Sequence, residues 1–208
     1  RANEIEVRLK FVNEILSKMN SPISNYFTAL KKLTNSCTVC NNITYIFNCY
    51  FLVIIDIEKI LQIKSITSSE LNLEQCLKNI IITKKEIYCD KCLKKTLHKN
   101  EEQIFSFPKL LIIYIERGLN FKYKTKFCFK EEIELYDSET KMKKKYLLVG
   151  LIKRKHNIDE YFSIIKFKLK WFISDKNKIS KIKSILDNKE GDVIMLFYQE
   201  LELLKEDK

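Results

Sequence analysis

The residues with the most chemistry to offer are four cysteines in two short pairs, Cys37-Thr38-Val39-Cys40 and Cys89-Asp90-Lys91-Cys92, with 48 residues (41–88) between them. A two-residue gap turns both thiolates of a pair toward one point, and two such pairs supply the tetrahedral four-sulfur shell that zinc prefers. Four protein ligands leave no open position for water, so the spacing predicts a structural Zn2+ ion, with Lys91, Lys94 and Lys95 offsetting the thiolate charge. Two unrelated cysteine pairs are the alternative. Seven cysteines is an odd number in a chain that is not small, which points away from disulfides and toward a reducing, intracellular compartment. Cys49, Cys76 and Cys128 sit among apolar neighbours and read as buried small hydrophobes. Of the two histidines, His98 beside the second pair reads as a surface residue or a metal neighbour, and His156 lies in a charged loop.

The chain that positions these groups has 208 residues, 46% apolar and 12% aromatic, with only 3 Gly and 2 Pro. That is enough to bury a sizeable core in one domain or one large piece of a bigger one. It begins at Arg1 without a signal-peptide pattern, so a cut N-terminus is expected. The longest apolar stretch, Ile43 to Ile57, includes Asp56 and falls short of the ~20 residues a bilayer requires, so no membrane is expected as a partner. The formal charge of +11 is 38 basic residues against 27 acidic, carried almost wholly by Lys, with Arg only at positions 1, 8, 117 and 154. So few guanidinium forks disfavour a nucleic-acid partner without excluding one.

Apolar spacing sets the expected elements. Ile5, Leu9, Val12, Ile15, Leu16 and Met19 recur at three and four, which predicts an amphipathic helix ending near Asn20-Ser21-Pro22. Residues 44–57, rich in β-branched and aromatic side chains, read as strand, and 69–81 as a short helix with Leu73, Leu77 and Ile80 on one face. Strands are then expected over 104–116, 121–129, 131–136, 146–153, 161–167 and 192–200, with loops at 137–145 and 155–160. Residues 176–188, with Ile179, Ile182, Ile185 and Leu186, read as one further helical connection.

Five segments follow the cysteine pairs in a fixed order. They are Phe107-Pro108-Lys109-Leu110-Leu111-Ile112-Ile113-Tyr114-Ile115-Glu116-Arg117, Tyr146-Leu147-Leu148-Val149-Gly150-Leu151-Ile152, Glu160-Tyr161-Phe162-Ser163, Trp171-Phe172-Ile173-Ser174-Asp175 and Ile194-Met195-Leu196-Phe197-Tyr198. Together they resemble, over nearly the whole chain, the ubiquitin-specific protease family of papain-like cysteine deubiquitinases. The resemblance implies an α+β fold of thumb, palm and fingers, mainly antiparallel β in this chain, with a zinc ribbon. On that layout residues 1–20 end a thumb helix, 37–103 form the fingers and 104–208 the palm, with Trp171, Phe197 and Tyr198 as core anchors.

The resemblance also implies hydrolysis after the C-terminus of ubiquitin by a Cys thiolate, with a His as its base and an Asp or Asn orienting the imidazole. Asp175, four positions after Trp171, is the one triad position retained; the residue before Tyr161, where the family has His, is Glu160. A carboxylate with a pKa of ~4.3 cannot take and return a proton near neutral pH as an imidazole of ~6.5 does. His156 would fill the role only if its loop refolded. The family's Asn-x-x-Cys box is expected upstream of Arg1, since Cys49, Cys76 and Cys128 lie in no such context. Asn3 stands where the family places an acidic residue toward the basic tail of ubiquitin, and Gly118 stands where it has Phe after Arg117. The expectation is a catalytically impaired ubiquitin carboxyl-terminal hydrolase-like domain that binds ubiquitin, a ubiquitin-conjugated protein or other proteins of a complex. An active thiol protease with its Cys upstream, and a basic zinc-ribbon module of a ribonucleoprotein assembly, are the alternatives.

Overall fold

The structure is a computed structural model that describes residues 2–14, 18, 21–64, 70–78, 81–156, 159–185 and 191–201. The elements run α1 (Ala2–Glu14), α2 (Pro22–Phe27), β1 (Ala29–Cys37), β2 (Ile43–Tyr50), β3 (Val53–Asp56), α3 (Ile57–Lys64), β4 (Glu70–Asn72), α4 (Leu73–Leu77), β5 (Ile81–Cys89) and β6 (Lys94–Ile104). They continue with β7 (Leu110–Glu116), β8 (Lys126–Cys128), β9 (Glu132–Asp137), β10 (Met142–Arg154), β11 (Tyr161–Phe167), β12 (Lys170–Asp175), β13 (Lys178–Ile182) and β14 (Asp192–Glu200). Two compact units result, Arg1–Phe51 with Leu77–Pro108 and Asp137–Met142, and Leu52–Cys76 with Lys109–Tyr136 and Lys143–Lys208.

The first unit is an antiparallel sheet in the order β2-β1-β6-β5. Leu30, Phe47 and Phe105 form its core, with the two rings edge-on at 5.1 Å, and Val7 and Phe11 of α1 pack against them. The helix therefore buries a different face from the expected one, and Ile5 and Leu9 are 57% and 50% exposed. The inward face runs Glu4, Val7, Arg8, Phe11, and its charges are what hid it from a count of apolar residues. Glu4 meets Lys32 at 2.8 Å, and Arg8 meets Glu139 at 2.7 Å while stacking over Phe105. Ile15, Leu16 and Met19 lie outside the described residues. Fully buried Asp137 organises the turn at 138–141: Oδ1 accepts from the backbone N–H groups of Glu139 and Thr140 and from the Thr140 hydroxyl, while Oδ2 accepts from Phe107 N–H. Strand resumes at Met142, earlier than the polar run 141–145 suggests.

The second unit is a mixed sheet in the order β13-β12-β11-β10-β14-β7-β3, with β9 also paired to β10. Contacts from β13 through β7 are antiparallel and β3 joins β7 in parallel; β4 and β8 form a separate parallel pair. Period-two alternation sends Leu111, Ile113, Ile115, Ile164, Leu196 and Tyr198 to one face, where each is at most 1% exposed. Trp171 and Tyr198 anchor this core as expected, and the Tyr198 hydroxyl donates to the Lys130 carbonyl at 2.6 Å. Phe197, next in the alternation, is only half-buried.

Several expected elements need correction: the strand expected over 104–116 is broken at 105–109, and of the helix expected over 69–81 only Leu73–Leu77 is helical among the described residues. Residues 176–188 do not form a helix where described. A turn at Lys176-Asn177, with Lys176 at φ 53°, returns the chain as β13 against β12, pairing Asp175 with Lys178 and Trp171 with Ile182. The three-residue spacing of Ile179 and Ile182 imitates a helix face, but Ile179 is 71% exposed. Only Lys126–Cys128 of 121–129 is strand, behind a 3-10 turn at Leu119–Phe121. Helix α3 was not foreseen, although Asp56 Oδ1 accepts the Lys59 N–H at 3.0 Å, an N-cap signal present in the sequence.

Arg117, 3% exposed, holds the loop after β7 in place. Its Nε donates to the Val193 carbonyl at 3.2 Å and its Nη1 to the carbonyls of Tyr123 and Thr125 at 3.2 and 2.9 Å, with Asp192 at 3.8 Å. Arg117→Met keeps the volume but orphans buried carbonyls, and is expected to cost about 3 kcal/mol in urea unfolding.

Candidate functional site

The two cysteine pairs begin at the ends of two strands of the first sheet that flank β6. Cys37 closes β1 and Cys89 closes β5, and each pair turns the chain in the same way. Asn41 N–H donates to the Cys37 carbonyl at 3.0 Å, Leu93 N–H to the Cys89 carbonyl at 2.8 Å, and both Asn41 and Leu93 take left-handed backbone, φ 55° and 53°. Asn tolerates that conformation and Leu does not, so Leu93→Asn, at a position 75% exposed, is expected to stabilise the zinc-loaded protein by about 1 kcal/mol in chemical denaturation.

The two turns bring all four Sγ atoms within 4.8 Å of one another. Cys37 lies 3.9 Å from Cys92 and Cys40 lies 3.6 Å from Cys89. A tetrahedron with zinc–sulfur bonds of about 2.3 Å has sulfur–sulfur edges of about 3.8 Å, so the four thiols can hold one zinc ion. Two of the thiols are shifted in opposite directions. The Thr96 hydroxyl at 3.2 Å, together with the backbone amides of Cys40 and Val39, holds the Cys37 thiol down to about 5. Cys92 is pushed up to about 12 by its hydrogen bond with Cys40, by burial and by its other sulfur neighbours. No disulfide joins any of the seven cysteines, and Cys49, Cys76 and Cys128 are half-buried where full burial was expected. Lys91, Lys94 and Lys95 are exposed.

His98 corrects the surface reading of the sequence: it is 5% exposed, with Nε2 3.1 Å from Thr96 Oγ1. The alternation Thr96, His98, Asn100 along β6 puts three polar side chains on one buried face, and an apolar count is blind to that pattern.

In the second unit Glu160 and Asp175 converge on a lysine. Glu160 precedes β11, Asp175 ends β12, and Lys155, just past the end of β10, reaches both. Its Nζ lies 2.6 Å from Asp175 Oδ2 and 3.4 Å from Glu160 Oε2, and its backbone N–H donates to the Glu160 carbonyl at 2.8 Å. Lys176 meets the other Glu160 oxygen at 2.8 Å. Lys176, then Lys155, hold the Glu160 carboxyl below its ordinary value, and the hydrogen bond to Asp175 holds the Lys155 ammonium above its own. Two carboxyl groups and two lysines thus form a row, in which Asp175 Oδ1 is buried and has no hydrogen-bond partner among the described residues. His156 is 3.5 Å from Asp192 Oδ2, committed to a different carboxylate. Lys155 is the residue sequence reasoning missed; no motif marks it.

An antiparallel sheet ended by a four-cysteine ribbon, with a long mixed sheet encoded mostly after it, is the α+β ubiquitin-specific-protease fold. The chain belongs to the ubiquitin carboxyl-terminal hydrolase family, whose model matches residues 5–198. Among solved structures it is similar to a chain of the SAGA Ubp8/Sgf11/Sus1/Sgf73 DUB module bound to ubiquitin aldehyde, with TM-score 0.67 and 18% identity over 94% of this chain and 47% of that one. A form of the module with substituted Ubp8 and shortened Sgf11 gives TM-score 0.70 and 17% identity over 93% and 44%. The yeast module with substituted Sgf73 gives 0.66 and 17% over the same shares. This chain thus spans under half the length of those chains. No curated protein matches it by sequence. No helix among the described residues is long and apolar enough to cross a membrane.

Proposed function

We propose that this chain is the fingers and palm of a ubiquitin carboxyl-terminal hydrolase-type domain that has exchanged catalysis for binding. Residues 37–103 serve as zinc-bearing fingers, 104–208 as palm and 1–20 as the end of a thumb helix. The observation that carries the reading is Lys155, whose ammonium bridges Asp175 and Glu160. An orienting carboxylate needs an imidazole to orient, and here it holds a lysine. Loss of a positioned general base removes on the order of 10²–10⁴ in rate by itself. Structural likeness to a module bound to ubiquitin aldehyde supports ubiquitin, or a ubiquitin-conjugated protein, as the bound partner within a larger assembly.

The test uses the complete protein. Ubiquitin carrying a C-terminal electrophile is expected to give no covalent adduct, and a fluorogenic ubiquitin conjugate no turnover, while unmodified ubiquitin binds measurably by titration calorimetry. An adduct accompanied by turnover would overturn the impaired reading. Absence of ubiquitin binding would overturn the binding role.

A further inference from the structure

Beyond the four sulfurs, the face of β1 and β6 that the register turns away from Leu30 and Phe105 carries a row of buried polar side chains. Asn35, Thr96, His98 and Asn100 are 7%, 6%, 5% and 5% exposed. The register sets Cys37 opposite His98 and Asn35 opposite Asn100, so the row begins at a metal ligand. Burying polar groups costs about 1–3 kcal/mol for each one left unpaired, which asks for a compensating role. Within the row the satisfied end is the one at the cysteines: among the described residues His98 Nδ1, Asn35 Oδ1 and Asn100 Oδ1 have no hydrogen-bond partner, while Thr96 Oγ1 has two, Cys37 Sγ at 3.2 Å and His98 Nε2 at 3.1 Å.

Proton counting orients these bonds. A cysteine that ligates zinc is a thiolate, so Cys37 only accepts. The single hydroxyl hydrogen of Thr96 therefore points at sulfur, its oxygen is left to accept, and the proton of the buried imidazole must sit on Nε2. Four thiolates around one divalent ion leave two excess negative charges, which donors outside the shell disperse. The exposed lysines near the second cysteine pair act through solvent and do so only weakly.

We propose that Thr96 and His98 are positioning residues of the metal centre: His98 Nε2–H fixes the Thr96 hydroxyl as a donor to Cys37 Sγ, and this relay strengthens metal retention. It rests on the four-cysteine set holding zinc and is independent of the ubiquitin reading. Removing a partner of this kind lowers metal affinity by about 10- to 100-fold.

The test compares Thr96→Val, Thr96→Ser, His98→Phe and His98→Gln in the whole chain, with Zn2+ under chelator competition and Co2+ as a spectroscopic probe. Thr96→Val and His98→Phe are expected to weaken zinc by about tenfold or more. They should also move the thiolate-to-cobalt charge-transfer band to longer wavelength, because a sulfur that loses a donor is easier to oxidise. Thr96→Ser keeps the hydroxyl and His98→Gln keeps an N–H donor, and both should return affinity and band toward the parent. A merely structural role would not move the band. If His98→Phe fails to fold, Thr96→Val, close in shape to the parent, and His98→Gln decide. Thr96→Val with parental affinity and band overturns the relay, and His98→Gln no better than a folded His98→Phe removes His98 from it. A parent chain that takes up no zinc overturns centre and relay together.

Discussion

Serine in place of Cys89 is expected to empty the metal centre and to cost the first unit most of its stability. Cys89 is 2% exposed and ends β5, an edge strand held to the sheet only through β6, from Ile81 opposite Glu102 to Cys89 opposite Lys94. Zinc clamps the ends of β1 and β5 through ligands far apart in sequence, so its binding free energy, about 10–16 kcal/mol in small zinc domains, is folding free energy. A serine hydroxyl stays protonated and ligates poorly, leaving three buried or half-buried sulfurs whose negative charge is no longer compensated. The measurement pairs zinc stoichiometry with thermal melting. The parent should carry about one zinc per chain, and Cys89→Ser little zinc with a melting temperature lower by more than about 10 °C. Cys49→Ser, outside the cluster, should keep the metal. A parent without zinc, and a Cys89→Ser protein that melts with it, would remove the metal centre from the account.

Replacing Glu160 by His is expected to restore far less activity to the complete protein than the loss of the imidazole alone would suggest. The new ring would find Asp175 Oδ2 still held by the Lys155 ammonium at 2.6 Å, with Oδ1 buried and the carboxylate charge already paired with a cation. Adding Lys155→Ala frees that carboxylate. The two changes should therefore be strongly non-additive: Glu160→His alone gains at most about tenfold in turnover of a fluorogenic ubiquitin conjugate, and the double variant about 10²–10⁴-fold, as expected for a general base made whole. Full recovery from Glu160→His alone would show that Lys155 does not block the row. Turnover in the unsubstituted protein would show that Glu160 is no barrier at all.

Much of this was legible before any coordinates. The two cysteine spacings announced the ribbon because a thiolate pair two residues apart is a local feature, set by one turn of chain. Strands β11 and β14 are expected with their observed bounds, since each is an apolar, aromatic run closed off by polar residues. Where reading failed, local pattern and tertiary partner disagreed. Helix α1 turns inward a face carrying Glu4 and Arg8 because Lys32 and Glu139 wait there, and no local rule reports a partner 28 or 131 residues away. Residues 178–182 show a helical spacing of isoleucines, yet β12 offers an open ladder of backbone groups, and hydrogen bonding to it outweighs the spacing.

The sequence by itself determined the family and the four-cysteine set, because each is a matter of residue type at a fixed local spacing. Tertiary structure alone decided what Glu160 and Asp175 hold and what stands behind the four cysteines. Lys155 reaches Asp175 across 20 residues, and His98 reaches Cys37 through Thr96 across two paired strands. Charge pairing and buried hydrogen bonds act through space, and only the folded chain says which groups share it.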